Sequence, residues 1–413
     1  LAGIIVLVGL VGVLQLPNVV QLVDAQSEES EAGPAPMTAW GDPDLEGIWT
    51  RDAEVPLQRP SSFRDREFFT DDERADLDRR RAEIIARDAT RERRETNGGG
   101  TAEQDVGGAY NAEIYTSHLR LGQRTSMIVD PPNGQLPELA PRAKEEHAAL
   151  LDFSLNLKRA TEVCENDLPA CRGGEFNPTP WEDRDITPPF YITSRNALPG
   201  GGGGVVSRSN HPEDRGHGER CMSSSIPDFR GFRRIVQSQN QVAIFYDTGQ
   251  GQGWHRTVPI SDAPHLPPNV RQWWGDSRAR WEGDTLVVDV TNFSPKSNFL
   301  GAHEDLHLIE RWRRVDADTL EYTVTVEDPT TWVEPWTAVQ TLKKQEDQMN
   351  RIYFEPRCHE GNYGMAALLI GAREDERAFD EGRGEDPALK CLGACGGFAA
   401  GYADEGDDAN PLR

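Results

Sequence analysis

Residues 279–290 have the sequence ARWEGDTLVVDV, in which two runs of strand-type residues flank Glu282, Gly283 and Asp284. β-branched and aromatic residues favour strands, and a short Gly-Asp connection between two such runs favours an antiparallel hairpin. The turn-forming residues are too few to allow a crossover. The stretch therefore predicts two neighbouring antiparallel strands joined by a tight turn.

Comparable runs recur on both sides of this hairpin, at hairpin-like spacing and separated by turn-formers. Polar and apolar residues partly alternate within them, which indicates a sheet with one buried face. We therefore predict a mainly β protein with helical decorations, an antiparallel meander closed or nearly closed into a barrel. The further runs are Arg234–Gln237, Val242–Tyr246, Trp254–Pro259, Leu306–Arg313, Leu320–Val326, Ala338–Lys343 and Ile352–Arg357.

The rest of the chain predicts decorations on a single β-rich domain that spans residues 41–373. Residues 70–95 open with Thr-Asp-Asp and lack Gly and Pro, so they predict a helix, and residues 141–160 predict a second one. Both helices fall in a helical insert, 70–160. A Pro- and Gly-rich loop region, 161–231, follows this insert, and an acidic flexible tail is expected at 374–413.

The N-terminus has the composition of an export signal. Residues 1–23 are almost wholly apolar, and Val23 and Ala25 offer small residues for a signal-peptidase site. This predicts a signal peptide at 1–25, followed by a disordered acidic spacer at 26–40, and a periplasmic or secreted protein. An uncleaved membrane anchor is the alternative, because about 20 apolar residues can span a bilayer.

The chain is strongly acidic, with a formal net charge of -25. A field of that sign repels phosphate backbones and anionic lipids, so we expect neither a nucleic-acid partner nor membrane attachment beyond the N-terminal anchor. The expected partner is a small-molecule ligand or substrate, and the sequence leaves the oligomeric state open.

Six cysteines suit an exported protein that forms disulfides. The pairing Cys164 with Cys171, Cys391 with Cys395 and Cys221 with Cys358 is one of those that six cysteines allow. Thiolate ligation of a metal is the alternative, but the spacings differ from the tight C-x2-C hooks of zinc sites.

Several sequence blocks resemble a large family of exported bacterial proteins, most of whose members have no assigned function. The resemblance spans roughly residues 40–373 and implies family membership without implying a chemistry. The blocks that carry it are Pro43–Trp49, Thr125–Pro132, Gln272–Val288, Asn292-Phe293, Leu306-His307, Glu310-Arg311, Thr325–Pro329, Pro335–Thr337 and Cys358–Tyr363.

Gly47-Ile48-Trp49 is also similar to the Gly-x-Trp start of lipocalins, in which the Trp plugs the barrel bottom against a late Arg. Together with the meander, this resemblance implies a lipocalin-like or calycin-like barrel. Such barrels commonly hold one small ligand at the mouth.

His303-Glu-Asp-Leu-His307 matches the zincin pattern, in which two imidazoles on one helix face bind zinc and Glu304 acts as general base. That arrangement requires a helix, and the segment is also compatible with a strand. A looser cluster, with zinc as the expected metal, is the other interpretation. Its metal ligands would be His303, His307 and His359, and its catalytic groups would be Glu304, Glu360 and Asp276.

Trp273 and Trp274, with His265, are the candidates for ligand binding. Our leading hypothesis is a barrel that binds a small organic molecule. A metal-dependent hydrolase or lyase built on the His cluster is the alternative, with His265 as a further ligand candidate. A structural or envelope-interaction module is the third hypothesis.

Overall fold

A computed structural model describes residues 33–51, 53–63, 65–89, 120–146, 148, 226–229, 232–247, 253–297, 299–345 and 363–384. Strands dominate these residues, so the predicted mainly β class is confirmed. Within the described ranges, no helix is both long enough and apolar enough to span a membrane.

Within the described residues, ten strands form one antiparallel sheet, in the order β7-β6-β5-β1-β12-β11-β10-β9-β8, and β4 also pairs with β12. Every predicted strand run that falls within the described residues is found as a strand. The bounds are β1 Gly47–Thr50, β4 Ile128–Asp130, β5 Phe232–Ser238, β6 Gln241–Asp247, β7 Gly253–Pro259, β8 Asp276–Glu282, β9 Thr285–Thr291, β10 His307–Arg314, β11 Thr319–Glu327 and β12 Trp336–Lys344.

The sheet curls until its two edge strands, β7 and β8, meet. Ile260 and Ala279 form a parallel bridge, and the Ser261 amide donates to the Ala279 carbonyl over 3.0 Å. A parallel seam is the expected result, since strands that alternate in direction along a path of nine bring its first and last members together in parallel. The result is a nearly closed barrel.

Strand β12 has two partners on the side away from β11. Its first residues pair with β4, through Thr337 opposite Asp130, and its last residues pair with β1, through Trp49 opposite Lys344. β1 also pairs with β5, through Trp49 opposite Arg233. The short strand β1 therefore joins the two halves of the barrel.

The inward-facing residues of each strand line the barrel interior. Strand β10 shows the alternation most clearly, since Leu308, Glu310, Trp312 and Arg314 are buried while their neighbours are half-exposed. These side chains pack with inward Val, Leu, Ile and aromatic residues from the other strands into one core. Such alternation is what a sheet with one buried face requires.

One end of the barrel is closed by Trp49 and Arg314. The Arg314 guanidinium lies over the Trp49 ring, 5.1 Å from its centroid, and donates to the carbonyls of Asp44 and Ala317 over 2.6 and 2.5 Å. The indole N–H of Trp49 donates to the Leu45 carbonyl. This stack of Trp on a late Arg is the contact that the Gly-x-Trp start implies.

Helix α1, Asp71–Ala89, lies where the first helix was predicted. Thr70 caps it: its hydroxyl accepts from the Glu73 amide, and the Glu73 carboxylate accepts from the Thr70 amide. Leu77 packs with Phe69 and Leu121 in a small second core. Beside this core, β2 (Ala53–Glu54) pairs in parallel with β3 (Arg120–Leu121).

The structure corrects two predicted boundaries. Part of the proposed disordered spacer at 26–40 is ordered against the barrel, since the Gly33 carbonyl accepts from the Ala317 amide and the Pro36 carbonyl from the Asp44 amide. The proposed flexible tail at 374–413 begins inside helix α2, Tyr363–Asp380. Both segments were predicted to be disordered or flexible because of their acidic composition. Composition does not show main-chain hydrogen bonds, or a helix that continues through Glu and Arg residues.

The predicted signal segment, most of the loop region 161–231, the last predicted strand Ile352–Arg357 and all six cysteines lie outside the described residues. The disulfide pairing therefore stays a prediction. Residues 141–146, at the start of the second predicted helix, are helical.

Candidate functional site

Two imidazoles and three carboxylates form a continuous hydrogen-bonded row on the outer face of the barrel. His265 bridges Asp276 and Asp289, with each nitrogen-to-oxygen distance 2.9 Å. His307 bridges Asp289 and Glu327, at 3.2 and 2.9 Å. We call these five residues the outer-face chain.

Strand register explains how residues so far apart in sequence meet. His307 lies opposite Glu327 across the β10–β11 pair, and Asp289 is on the neighbouring strand β9 opposite Ile309. All three point away from the core because their strand neighbours point into it. Asp276 begins β8 on the same face.

His265 comes from the segment 261–275 that connects β7 to β8, and two contacts at Leu266 help to fix that segment to the sheet. The Asp276 carboxylate accepts from the Leu266 amide over 3.0 Å as well as binding His265. Asn292, in the left-handed conformation with φ of 58°, donates its side-chain amide to the Leu266 carbonyl over 2.8 Å. The outer-face chain is therefore part of what holds this connection in place.

The outer-face chain perturbs its own ionisation. The hydrogen bond from His307 lowers the pKa of Asp289 against the opposing effect of burial. The hydrogen bond to Asp289 raises the pKa of His307, with a further contribution from Glu327 and an opposing one from burial. A protonated imidazole donates from both nitrogens, so charged His307 satisfies both neighbouring carboxylates.

The zincin interpretation is wrong. Residues 303–306 form a turn, and His307 begins strand β10. The Nδ1 atom of His303 lies 2.6 Å from the Ser297 carbonyl oxygen. The main-chain carbonyl of Glu304 accepts a hydrogen bond from Arg271. A helix is needed to put His303 and His307 on one face with Glu304, and the strand pairing of β10 prevails over the local helix propensity here.

The looser cluster is formed only in part. Of its predicted members, the structure brings together His265, Asp276 and His307. Asp289 and Glu327, which were not predicted as members, join them. His359 and Glu360 lie outside the described residues. Within the described ranges, no group of three or more His, Cys, Asp or Glu side chains is arranged to hold a metal ion.

A second polar constellation lies inside the barrel. Arg256 on β7 donates to Glu310 on β10 over 2.6 Å, with side chains only 4% and 1% exposed. The Tyr322 hydroxyl donates to the other Glu310 oxygen over 2.8 Å. Arg233 lies nearby over the Tyr246 ring, 5.7 Å from its centroid. We call Arg233, Tyr246, Arg256, Glu310 and Tyr322 the inner polar set.

Burial shifts the ionisation of this set. It would lower the pKa of Arg256, but the Glu310 carboxylate outweighs that effect and the pKa is raised. Burial raises the pKa of Tyr246 to about 12. It also raises that of Tyr322, where the Glu310 charge adds to it. Arg256 and Glu310 therefore form an ion pair, and both phenols stay protonated.

An aromatic stack continues from the inner polar set toward segment 261–275. Tyr246 stacks on Trp254 with ring centroids 4.4 Å apart, and Trp254 stacks on Trp274 at 4.6 Å. Of the predicted ligand-binding residues, Trp274 thus joins the barrel core. The main-chain carbonyl of Trp273 accepts a hydrogen bond from the Ser297 hydroxyl. His265 belongs to the outer-face chain.

The inner polar set was not predicted from the sequence, although the sequence contains a signal for it. Arg256 occupies the inward phase of β7 between Trp254 and Val258, and Glu310 that of β10 between Leu308 and Trp312. In a strand whose residues alternate between apolar and polar, a charged residue at one of the apolar positions faces the interior. Arg256 and Glu310 also have opposite charge, so they could have been proposed as a buried pair.

No protein-family model matches the chain, and no curated protein matches it. Among solved structures, it is similar to a secretary abundant heat soluble (SAHS) protein from Ramazzottius varieornatus, at 16% identity, 28% coverage of this chain and 70% of that one, with a TM-score of 0.19. A TM-score this low adds nothing to the fold described above.

Proposed function

We propose that this chain is an exported protein that binds a small organic molecule inside its barrel. The observation that carries the proposal is the set of buried hydrogen-bond donors in the interior. Within the described residues, Nε and Nη1 of both Arg233 and Arg256, and the indole nitrogens of Trp254 and Trp312, have no hydrogen-bond partner.

Such donors are costly in a closed core, because a buried polar group without a partner loses its hydration and gains nothing in return. Native cores leave few of them. A ligand with acceptor oxygens would satisfy these donors and would gain affinity from the low dielectric of the interior. Small-molecule sites commonly combine aromatic walls with a few convergent polar groups, as the inner polar set and the Tyr246–Trp254 stack do here.

The outer-face chain supports a binding role less well. Each of its four imidazole nitrogens already faces a carboxylate at hydrogen-bond distance, so its groups satisfy one another. The metal-dependent alternative would need at least one ring to leave these contacts. The envelope-interaction hypothesis stays a prediction, since no contact within this chain tests it.

The test uses N-phenylnaphthylamine, an uncharged probe whose fluorescence rises in apolar surroundings. We expect saturable binding of one probe per chain, with energy transfer from the interior tryptophans. Two variants on strand β11 form a matched pair, because Val324 is buried and faces inward whereas Thr325 faces outward. Val324→Phe fills the interior and should abolish binding, while Thr325→Phe should leave it unchanged.

Near-ultraviolet circular dichroism should first confirm that both variants keep a packed core, since overpacking costs about 1–3 kcal/mol. Absence of saturable probe binding to the unmodified chain, or equal loss in the two variants, would contradict the proposal. The unmodified-chain measurement stands even if Val324→Phe does not fold.

A further inference from the structure

Two guanidiniums and two carboxylates lie near Tyr246 in the barrel interior, and all four are buried. Burial is the largest cause of the raised pKa of Tyr246. The positive charges of Arg256 and Arg233 lower that pKa, and the negative charges of Glu310 and Asp228 raise it. Arg256 and Glu310 form an ion pair over 2.6 Å, and Arg233 donates to the main-chain carbonyl of Asp228. The two positive and two negative charges sum to zero.

This charge balance disfavours a charged ligand. An anion that contacts Arg256 would also approach the carboxylate of Glu310, which is paired with it. A cation that contacts Glu310 would approach Arg256 in the same way. A charge that enters a core of low dielectric without a counter-charge is costly, because it loses its hydration. We therefore expect an uncharged ligand.

The unpartnered groups beside the ion pair are mostly donors. Arg256 uses Nη2 for Glu310 and leaves Nε and Nη1 without a partner among the described residues. Trp254 and Trp312, the neighbouring inward residues on β7 and β10, each leave an indole N–H. Gln340 is an exception, since its unpartnered atom is the side-chain oxygen. A neutral oxygen acceptor, such as a carbonyl, satisfies the donors without adding a charge.

The inward residues level with Glu310 are small. Strand register aligns Glu310 with Val288 and then Ala279 on one side. On the other side it aligns Glu310 with Val324 and then Ala338. We call these four buried residues the small inward row. The inward rows before and after it contain tryptophans, so the small inward row is where the side chains fill the least space.

Building on the proposed function, we propose that the ligand is an uncharged molecule that carries a carbonyl group. It lies against the small inward row, and its carbonyl oxygen accepts a hydrogen bond from Arg256. Glu310 balances the charge of Arg256, so the guanidinium gives a charge-assisted hydrogen bond without requiring an anion. The indole N–H groups of Trp254 and Trp312 are available to further acceptor oxygens on the same ligand.

Three naphthalenes of nearly equal shape test the charge and the acceptor separately. Methyl naphthyl ketone has a neutral carbonyl, naphthoate has a carboxylate, and isopropenylnaphthalene has no oxygen. Each competes against N-phenylnaphthylamine bound to the unmodified chain. We expect the ketone to bind at least about tenfold more tightly than naphthoate, because the anion has no counter-charge in the balanced interior. Equal or tighter binding of naphthoate would overturn the proposal.

The comparison of the ketone with isopropenylnaphthalene isolates the hydrogen bond. Each affinity is divided by the partition coefficient of the compound from water into cyclohexane, so that a purely apolar site would give equal values. We expect the value for the ketone to be at least about tenfold higher, because a buried charged donor gains an acceptor. Equal values would overturn the proposal and leave the proposed function intact, because the probe would still bind.

Two multiple variants locate the donor. Arg256→Met, Glu310→Met and Tyr322→Phe together remove the ion pair and the hydroxyl that would lose its acceptor. This triple variant should bring the ratio between ketone and isopropenylnaphthalene close to one. Arg313→Met with Glu321→Met removes an ion pair of the same type on the outer face of β10 and β11, and should keep the ratio.

A ratio that persists in a folded triple variant would contradict the assignment to Arg256. If the triple variant does not fold, the two comparisons on the unmodified chain decide the proposal.

Discussion

The outer-face chain and the inner polar set each join charged side chains that are far apart in the sequence, yet their hydrogen bonding differs. On the outer face, two imidazoles alternate with three carboxylates, and every imidazole nitrogen has a partner at 2.9 to 3.2 Å. In the interior, both carboxylate oxygens of Glu310 accept hydrogen bonds. The guanidiniums of Arg233 and Arg256 each keep two nitrogen donors without a partner among the described residues.

A conspicuous cluster of catalytic residue types therefore need not be the binding site. The groups of the outer-face chain satisfy each other and need no further partner, and they help to fix segment 261–275 to the sheet. The buried donors of Arg233 and Arg256 that have no partner within the described residues do need a further partner. The variants below compare the stability contributed by the buried charged groups with that contributed by the outer-face chain.

Removing one member of the Arg256–Glu310 pair should have the largest effect. Arg256→Met leaves a charged carboxylate in the core, so we expect a loss of about 3–5 kcal/mol in the free energy of unfolding. The double variant Arg256→Met with Glu310→Met should lose less than the single one, because no charge is stranded. Urea unfolding measures both. A single variant that loses under about 1 kcal/mol would show that the pair is hydrated.

Next in size is the closed end of the barrel. Arg314→Met keeps the stem over Trp49 but removes the donors to the carbonyls of Asp44 and Ala317. We expect a loss of about 2–3 kcal/mol, the range for hydrogen bonds from charged groups. Arg311→Met, on the outward side of the same strand, is the matched control and should change stability by less than about 0.5 kcal/mol. Equal losses would contradict the assigned role of Arg314.

The third effect concerns segment 261–275. Asp276→Asn weakens its contacts with His265, the Leu266 amide and Arg278, so we expect a loss of about 1–2 kcal/mol. Amide hydrogen exchange at Leu266 should accelerate more than exchange in β9. Asp262→Asn, exposed on the same segment, serves as the control. Unchanged exchange at Leu266 would contradict the assigned role of Asp276.

The smallest effect is the pH dependence of the outer-face chain. His307 has a pKa raised above 6.5, so its contribution is full below that pH and is lost as the pH rises through the raised value. Asp289 has a pKa lowered below 3.8, so its contribution is present above that pH and lost in stronger acid. The stabilisation is therefore largest between these two pH values.

His307→Gln should accordingly lose about 1 kcal/mol near pH 5.5, after allowance for solvent screening, and much less near pH 9. Unfolding of both proteins at the two pH values measures the difference. The variant Thr325→Val, on the outward side of β11, removes no titratable group and serves as the control. A loss that does not change with pH would show that His307 contributes by packing rather than by charge.

Much of the barrel could be predicted because strands β5 to β12 repeat one physical pattern. Alternation, β-branched residues and Gly-Asp turns mark β8 and β9, and the Gly-x-Trp start implied the Trp49–Arg314 contact. The sites were harder, because Asp289 and Glu327 join His307 only through strand register, which the sequence does not specify. The HEDLH string was misleading for the opposite reason: its spacing suits a helix, but tertiary pairing made His307 a strand residue.

The position of strand β1 bears on how the chain folds. Trp49 pairs with Arg233 on one side and with Lys344 on the other. The first strand of the barrel in the sequence therefore cannot complete its pairing until the last strand is present. Ribosomal synthesis must complete β12 before this strand can be enclosed. Contacts so distant in sequence slow folding, because loop-closure entropy is lost before they form. We therefore expect closure around β1 to be the late, rate-limiting event, with the hairpin of β8 and β9 formed early.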